Sequence, residues 1–126
     1  MPRFVLLRHE LPAESQRASH WDLMLEAGGV LKTWELIALW EDQKSVTARR
    51  LPDHRLDYLE YEGPVSSGRG TVRAVDRGTF ETLAHDQHHW LVRLDGGRYK
   101  GTLLVAVLDK SRQWWSVRFC AATETT

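Results

Sequence analysis

Almost no stretch of this chain is helically periodic. Glycine, proline and short polar segments together bound β-rich runs of mostly about five to eight residues, a strand's length rather than a helix's. The predicted strands are Phe4–Leu7, His20–Leu25, Val30–Leu36, Ser45–Arg50, Thr71–Val75, Thr79–Leu83, Trp90–Leu94, Tyr99–Leu108 and Trp114–Phe119. Gly28-Gly29, Arg77-Gly78 and Gly96-Gly97 lie between β-rich segments and read as hairpin turns. A meander of hairpins closes most easily into a barrel, which removes the unpaired edges of a flat sheet. The expected fold is mainly all-β: a small closed antiparallel β-barrel with one or two short helices, one of them around Arg55–Tyr61. Glu10–Arg17 reads as a polar loop with no apolar stripe.

A length of 126 residues fits one domain, 1–126, large enough to bury a core without staples. The one cysteine, Cys120, cannot form an intrachain disulfide, so it reads as a small buried hydrophobe and the expected compartment is a reducing cytoplasm. The 17 basic and 17 acidic side chains balance, which argues against a uniformly basic coat for nucleic acid and leaves room for a local patch. Most of the cations are Arg, whose planar fork matches phosphate or carboxylate. The apolar run Leu103–Leu108 is too short to span a membrane, and too few apolar residues follow Met1-Pro2-Arg3 for a signal peptide.

The segment His20-Trp21-Asp22-Leu23-Met24-Leu25 carries the most chemical information. Strand alternation puts His20, Asp22 and Met24 on one face and Trp21, Leu23 and Leu25 on the other. The second face is the one to bury, so the first meets solvent or lines a polar cleft. Two residues apart on a strand, about 7 Å at the backbone, an imidazole and a carboxylate can converge on one cation. His9, at the end of the first strand, is the best third ligand, and two His with one carboxylate suit Mn, Fe(II) or Zn. A solvated pair or a simple hydrogen bond is the plain alternative.

His54 and Tyr58, four residues apart and flanked by Arg, would share one face of a helical turn. They could donate to a phosphoryl group while Arg50 neutralises it, or they could tie down their own loop. His85-Asp86-Gln87-His88-His89 reads as a polar hairpin loop. The six Trp could stack on bases, although in a small barrel they more simply pack the core and rims.

In their order and spacing, several segments resemble one family: Phe4-Val5-Leu6-Leu7-Arg8-His9, His20–Glu26, Gly29–Trp34, Asp53–Tyr58, Tyr61-Glu62-Gly63, Gly70-Thr71-Val72, Asp76–Glu81 and Gly97–Gly101. That family is the 3′-phosphoesterase domain at the N-terminus of bacterial DNA ligase D. The resemblance implies a compact β-barrel with a metal site in a crescent-shaped groove. It also implies Mn-dependent removal of a 3′-phosphate or a terminal ribonucleotide during end joining. By position it makes His9, His20 and Asp22 metal ligands of Mn2+, with Zn2+ or another divalent transition metal as the alternative. His54 and Tyr58 would contact the reacting phosphate, and Arg50 resembles an Arg just before the Asp-His element. The implied partners are nucleic-acid 3′ ends and a separate ligase or polymerase, with the chain itself a monomer away from membranes. There are departures from the pattern. Met24 stands where the family has an Arg, and His9 and His20 are farther apart than its first two His, as if residues 10–17 were inserted. The family's N-terminal arm and a Pro-Lys-Gly element after Trp34 are not matched. A nucleic-acid-end or protein binding module that keeps the barrel is therefore the reading that competes with the enzyme.

Overall fold

A computed structural model of the protein describes residues 1–123. Nine strands form one antiparallel sheet: β1 (Arg3–Glu10), β2 (His20–Ala27), β3 (Val30–Leu36), β4 (Ser45–His54), β5 (Gly63–Pro64), β6 (Thr71–His85), β7 (His89–Gly96), β8 (Lys100–Val107) and β9 (Trp114–Ala121). The sheet runs β1-β2-β3-β4-β9-β8-β7-β6, and β1 also pairs with β6, so eight strands close into a barrel. The two-residue β5 pairs with β6 from outside. The expected closed antiparallel barrel is thus the observed one. Among the described residues a 3-10 turn, Leu56–Leu59, is the only helical element, shorter than the helix predicted around Arg55–Tyr61. No helix there is long and apolar enough to cross a membrane.

The strands follow from period-two patterning. In β7, Trp90, Val92 and Leu94 are buried while His89, Arg93 and Asp95 are exposed, and β9 repeats this with Trp115, Val117 and Phe119. The alternation fails in β1, where Phe4, Val5, Leu6 and Leu7 are all fully buried. Phe4 and Leu6 enter the main core, while Val5 and Leu7 join an outer cluster with Met24, Leu31, Leu59 and Val72. That cluster packs Leu56, Tyr58 and Val65 onto the barrel wall. β2 is two-sided for the same reason: Leu23 and Leu25 belong to the main core and Met24 to the outer cluster. The face expected to be polar throughout is polar only at its His20 and Asp22 end.

One turn was misplaced by the sequence. Thr71–Val75 and Thr79–Leu83 are parts of a single 15-residue strand, and Arg77-Gly78 is not a hairpin. β6 passes from β1 to β7 at this point, with Gly78 opposite both Phe4 and Gly96. A Cβ on Gly78 would lie 2.2 Å from the Asp95 carbonyl oxygen, so the glycine permits a close backbone approach. The other two pairs do sit in hairpins: Gly28-Gly29 links β2 to β3, both at positive φ, and Gly96-Gly97 leads from β7 toward β8. Asp76, buried, accepts hydrogen bonds from the backbone N–H groups of Arg98 and Tyr99 and fixes the second hairpin.

Candidate metal centre and phosphate groove

The outer cluster ends in a groove of about 260 Å³ walled by β1, β2 and the segment 54–72. His9 at the end of β1 stands opposite His20 at the start of β2, because the two strands pair in antiparallel register. Asp22 follows His20 by one alternation on the same face. Ligand atoms of His9, His20 and Asp22 all lie within 4.8 Å of one another. His9 Nδ1 is 3.6 Å from Asp22 Oδ2, and His20 Nε2 is 3.3 Å from Asp22 Oδ1. Donors at about 2.0–2.2 Å from a common tetrahedral ion stand roughly 3.3–3.6 Å apart, so both separations suit shared coordination.

The surroundings determine which nitrogens are free. His9 Nε2 is 2.6 Å from the Arg69 carbonyl oxygen, to which its N–H donates, leaving Nδ1 bare toward Asp22. His20 Nδ1 is 3.0 Å from the Ala18 carbonyl oxygen and 3.2 Å from Glu35 Oε1, which places its proton there and leaves Nε2 bare. Asp22 Oδ1 is buried without a hydrogen-bond partner. Two bare imidazole nitrogens beside an orphaned carboxylate oxygen fit a divalent transition metal. Burial opposes the His20 imidazolium, but Asp22, the Ala18 carbonyl and Glu35 outweigh it and raise its pKa. Burial also opposes the Asp22 carboxylate, and His20 ahead of His9 overcomes it, lowering its pKa.

His54 and Tyr58 line the same groove, with ring centroids 5.5 Å apart edge to face. They do not share a helical turn: His54 ends β4 and Tyr58 lies in the 3-10 turn held down by the outer cluster. His54 Nδ1 is 2.9 Å from the Pro52 carbonyl oxygen, to which its N–H donates, leaving Nε2 available.

Arg50 is not in the groove. Neighbours on a strand point to opposite faces, and β4 sends Arg49 toward Glu35 on the groove side and Arg50 over Trp34 on the other. The cations that do line the groove, Arg17 and Arg69, were missed as site residues. Arg17 comes from the loop 11–19, where insertion had been inferred from the His9 to His20 spacing, and hydrogen-bonds Glu35. Arg69 is anchored on Ser66 through the carbonyl and hydroxyl oxygens. Glu35, also missed, is buried and binds Arg17, Arg49 and His20. The available signal was its place opposite Asp22 across the β2–β3 pair, on the face away from Trp34 and Leu36. Met24 is 1% exposed and forms part of the groove floor. The His85–His89 segment is a turn, as read: Asp86 Oδ1 accepts from the backbone N–H groups of His88 and His89.

Comparison with known proteins agrees with this architecture. The profile of the DNA ligase D 3′-phosphoesterase domain matches residues 12–106, a span that contains His20, Asp22, His54 and Tyr58 and begins after His9. The chain is 36% identical over 107 residues to the multifunctional non-homologous end joining DNA repair protein LigD of Mycobacterium tuberculosis, covering 78% of this chain and 13% of that protein. It is 28% identical over 126 residues to the multifunctional non-homologous end joining protein LigD of Pseudomonas aeruginosa, covering 90% of this chain and 15% of that protein. The chain therefore spans only a small fraction of these relatives, and it belongs to the DNA ligase D 3′-phosphoesterase domain family.

Proposed function

We propose that this chain is a divalent-metal-dependent phosphoesterase that trims nucleic-acid 3′ ends in end joining, removing a 3′-phosphate or a terminal ribonucleotide. The observation that carries this reading is the convergence of two bare imidazole nitrogens and the orphaned Asp22 Oδ1 in a groove shared with His54 and Tyr58. His9, His20 and Asp22 would hold Mn2+, and the same donor set accepts Zn2+. A bound ion supplies Lewis-acid charge at a phosphoryl oxygen and a more acidic water.

The remaining work falls to the chain. His54, with Nδ1–H engaged by Pro52, has Nε2 to hold or deliver the proton that moves as the ester breaks. The Tyr58 hydroxyl donates to a phosphoryl oxygen, and Arg17 and Arg69 offset its charge in the role expected of Arg50. The relatives are named for non-homologous end joining, which supports broken DNA ends as the substrate class; a ligase or polymerase would be the companion activity.

A second reading, a non-catalytic module that binds nucleic-acid ends, is favoured by the apolar Met24 on the groove floor where the resemblance places an Arg. A loaded protein acting on a primer-template with a 3′-phosphate or 3′-ribonucleotide separates the two. The expected result is slow, Mn-stimulated product release abolished by chelator, by His20→Ala and by His54→Ala, the last with metal content retained. DNA binding with no product above the His20→Ala background establishes the binding module. Losing one charge-assisted clamp costs about 1.5–3 kcal/mol, so Met24→Arg should raise the rate by roughly one to two powers of ten in the enzyme.

A further inference from the structure

A second cavity, of about 360 Å³, opens at the barrel end bounded by the β2–β3, β6–β7 and β8–β9 turns. The indoles of Trp34, Trp90 and Trp115 form its inner wall, Trp34 meeting Trp90 at 6.1 Å and Trp115 at 5.7 Å edge to face. Each indole carries a planar nitrogenous group. Arg50 lies 4.8 Å over Trp34, Arg112 lies 5.3 Å over Trp115, and His85 stacks on Trp90 at 4.3 Å and 5°. Trp34 is 3% exposed, and its Nε1–H is buried without a hydrogen-bond partner.

A barrel end needs only apolar side chains to close it. This one is also lined by three cations, Lys32, Arg50 and Arg112, the two Arg lying over indoles. Asp53 pairs with both Lys32 and Arg50, and among the described residues Asp86 is the only carboxylate lining the cavity, so positive charge remains. Arg112 makes no ion pair among the described residues. A guanidinium held over an indole is positioned before any ligand arrives, which lowers the ordering cost of binding. Planar cations backed by aromatic rings recognise a ligand that is itself planar at one end and anionic at the other. The volume lies near the lower end of small-molecule sites, enough for one nucleotide and not for a duplex.

We propose that this barrel mouth is a nucleotide site: it takes one nucleoside monophosphate unit, its base stacked on the His85 ring and its phosphate on the Arg112 fork. The unit is either a free mononucleotide or one residue of a single strand. The site is separate from the metal groove, since Arg50 and Trp34 occupy the strand faces opposite Arg49 and Glu35, and it does not depend on the phosphoesterase reading.

The chain has six Trp, so six indole N–H signals report on it in a nitrogen–proton NMR spectrum. Titration in EDTA, which leaves no metal in the groove, with AMP should move the Trp34, Trp90 and Trp115 signals and leave those of Trp21 and Trp40 in place. Arg112→Asn, which keeps a residue tolerant of the positive φ found there, should weaken AMP at least about tenfold. His85→Ala, with the Arg intact, should also weaken it, and Arg69→Gln in the groove should not. A hexathymidylate that binds more tightly than AMP identifies single-stranded nucleic acid as the source, and the reverse order identifies the free nucleotide. The proposal is overturned by still indole signals up to about 10 mM of either ligand, by inorganic phosphate or adenosine binding as well as AMP, or by equal losses in Arg112→Asn and Arg69→Gln.

Discussion

At the scale of single residues, Glu35 explains how the groove stays ordered. One buried carboxylate meets His20 Nδ1 and two guanidinium groups, so it orients a metal-facing imidazole and brings Arg17 to the groove wall. Removing its charge while keeping its shape should weaken the centre without emptying it. Glu35→Gln is expected to lower Mn2+ affinity about 10–100-fold by calorimetry, with an unchanged circular dichroism spectrum. Unaltered affinity would remove Glu35 from the centre. A second carboxylate gives a pH dependence. The hydrogen bond from Lys32, joined by Arg50, holds the Asp53 pKa below its ordinary value despite slight burial. A lowered folded-state pKa stabilises above the unfolded value of about 3.9, and that contribution disappears as pH falls through the folded value. Asp53→Asn should therefore cost a few tenths to about 1 kcal/mol at pH 7, the range of partly exposed pairs, and progressively less below pH 4 in urea titrations. A difference that persists at pH 3 would point to packing instead. His20 and Asp22 were legible because alternation alone puts them together. Arg50 was misassigned because a shift of one position on a strand reverses the face, and the sequence offers two adjacent Arg.

At the scale of elements, the glycines show where reading punctuation succeeds and where it stops. Gly28 and Gly29 have positive φ and no neighbour within 4 Å of an added Cβ, which is the local requirement of a turn. Gly78 answers a tertiary requirement, contact with the backbone of β7, and nothing nearby in the sequence distinguishes the two cases. Gly78→Ala should thus destabilise by about 1–3 kcal/mol in urea unfolding, because the obstacle is a main-chain carbonyl that cannot rotate away. Gly28→Asn should be nearly neutral, since Asn tolerates the left-handed region. Equal costs for the two would contradict the assignment of Gly78 to a crossing. The segment 63–70 was invisible for a related reason: β5 is two residues long, and the segment is held on the barrel by tertiary contacts, the β5–β6 pairing, Val65 in the outer cluster and the close approach of Gly70 to the Glu10 carbonyl. It nonetheless delivers both Arg69 and the carbonyl that fixes the His9 tautomer.

At the scale of the whole molecule, the candidate ligands join β1 to β2 next to the place where β1 also meets β6, so occupancy of the centre should be felt as global stability. Metal at about 100 times its dissociation constant stabilises by about 2.7 kcal/mol, a rise in midpoint on the order of 10 °C for a chain of this size. Calorimetric melting with Mn2+ should show that rise, and EDTA or His20→Ala should remove it. An unchanged midpoint at saturating metal would refute the ligand set. The β1–β6 seam has a kinetic side as well. Leu6 faces Asp76 across a gap of about 70 residues, and Ser45 faces Arg118 across a comparable one, so two ladders join strands that emerge far apart. The hairpins from β1 through β4 and from β6 through β9 can each zip locally, while these two ladders must wait for long loops to close against their entropy. Refolding should be paced by that closure, and His9, already opposite His20 in the first hairpin, should meet the Arg69 carbonyl only as the ring is completed.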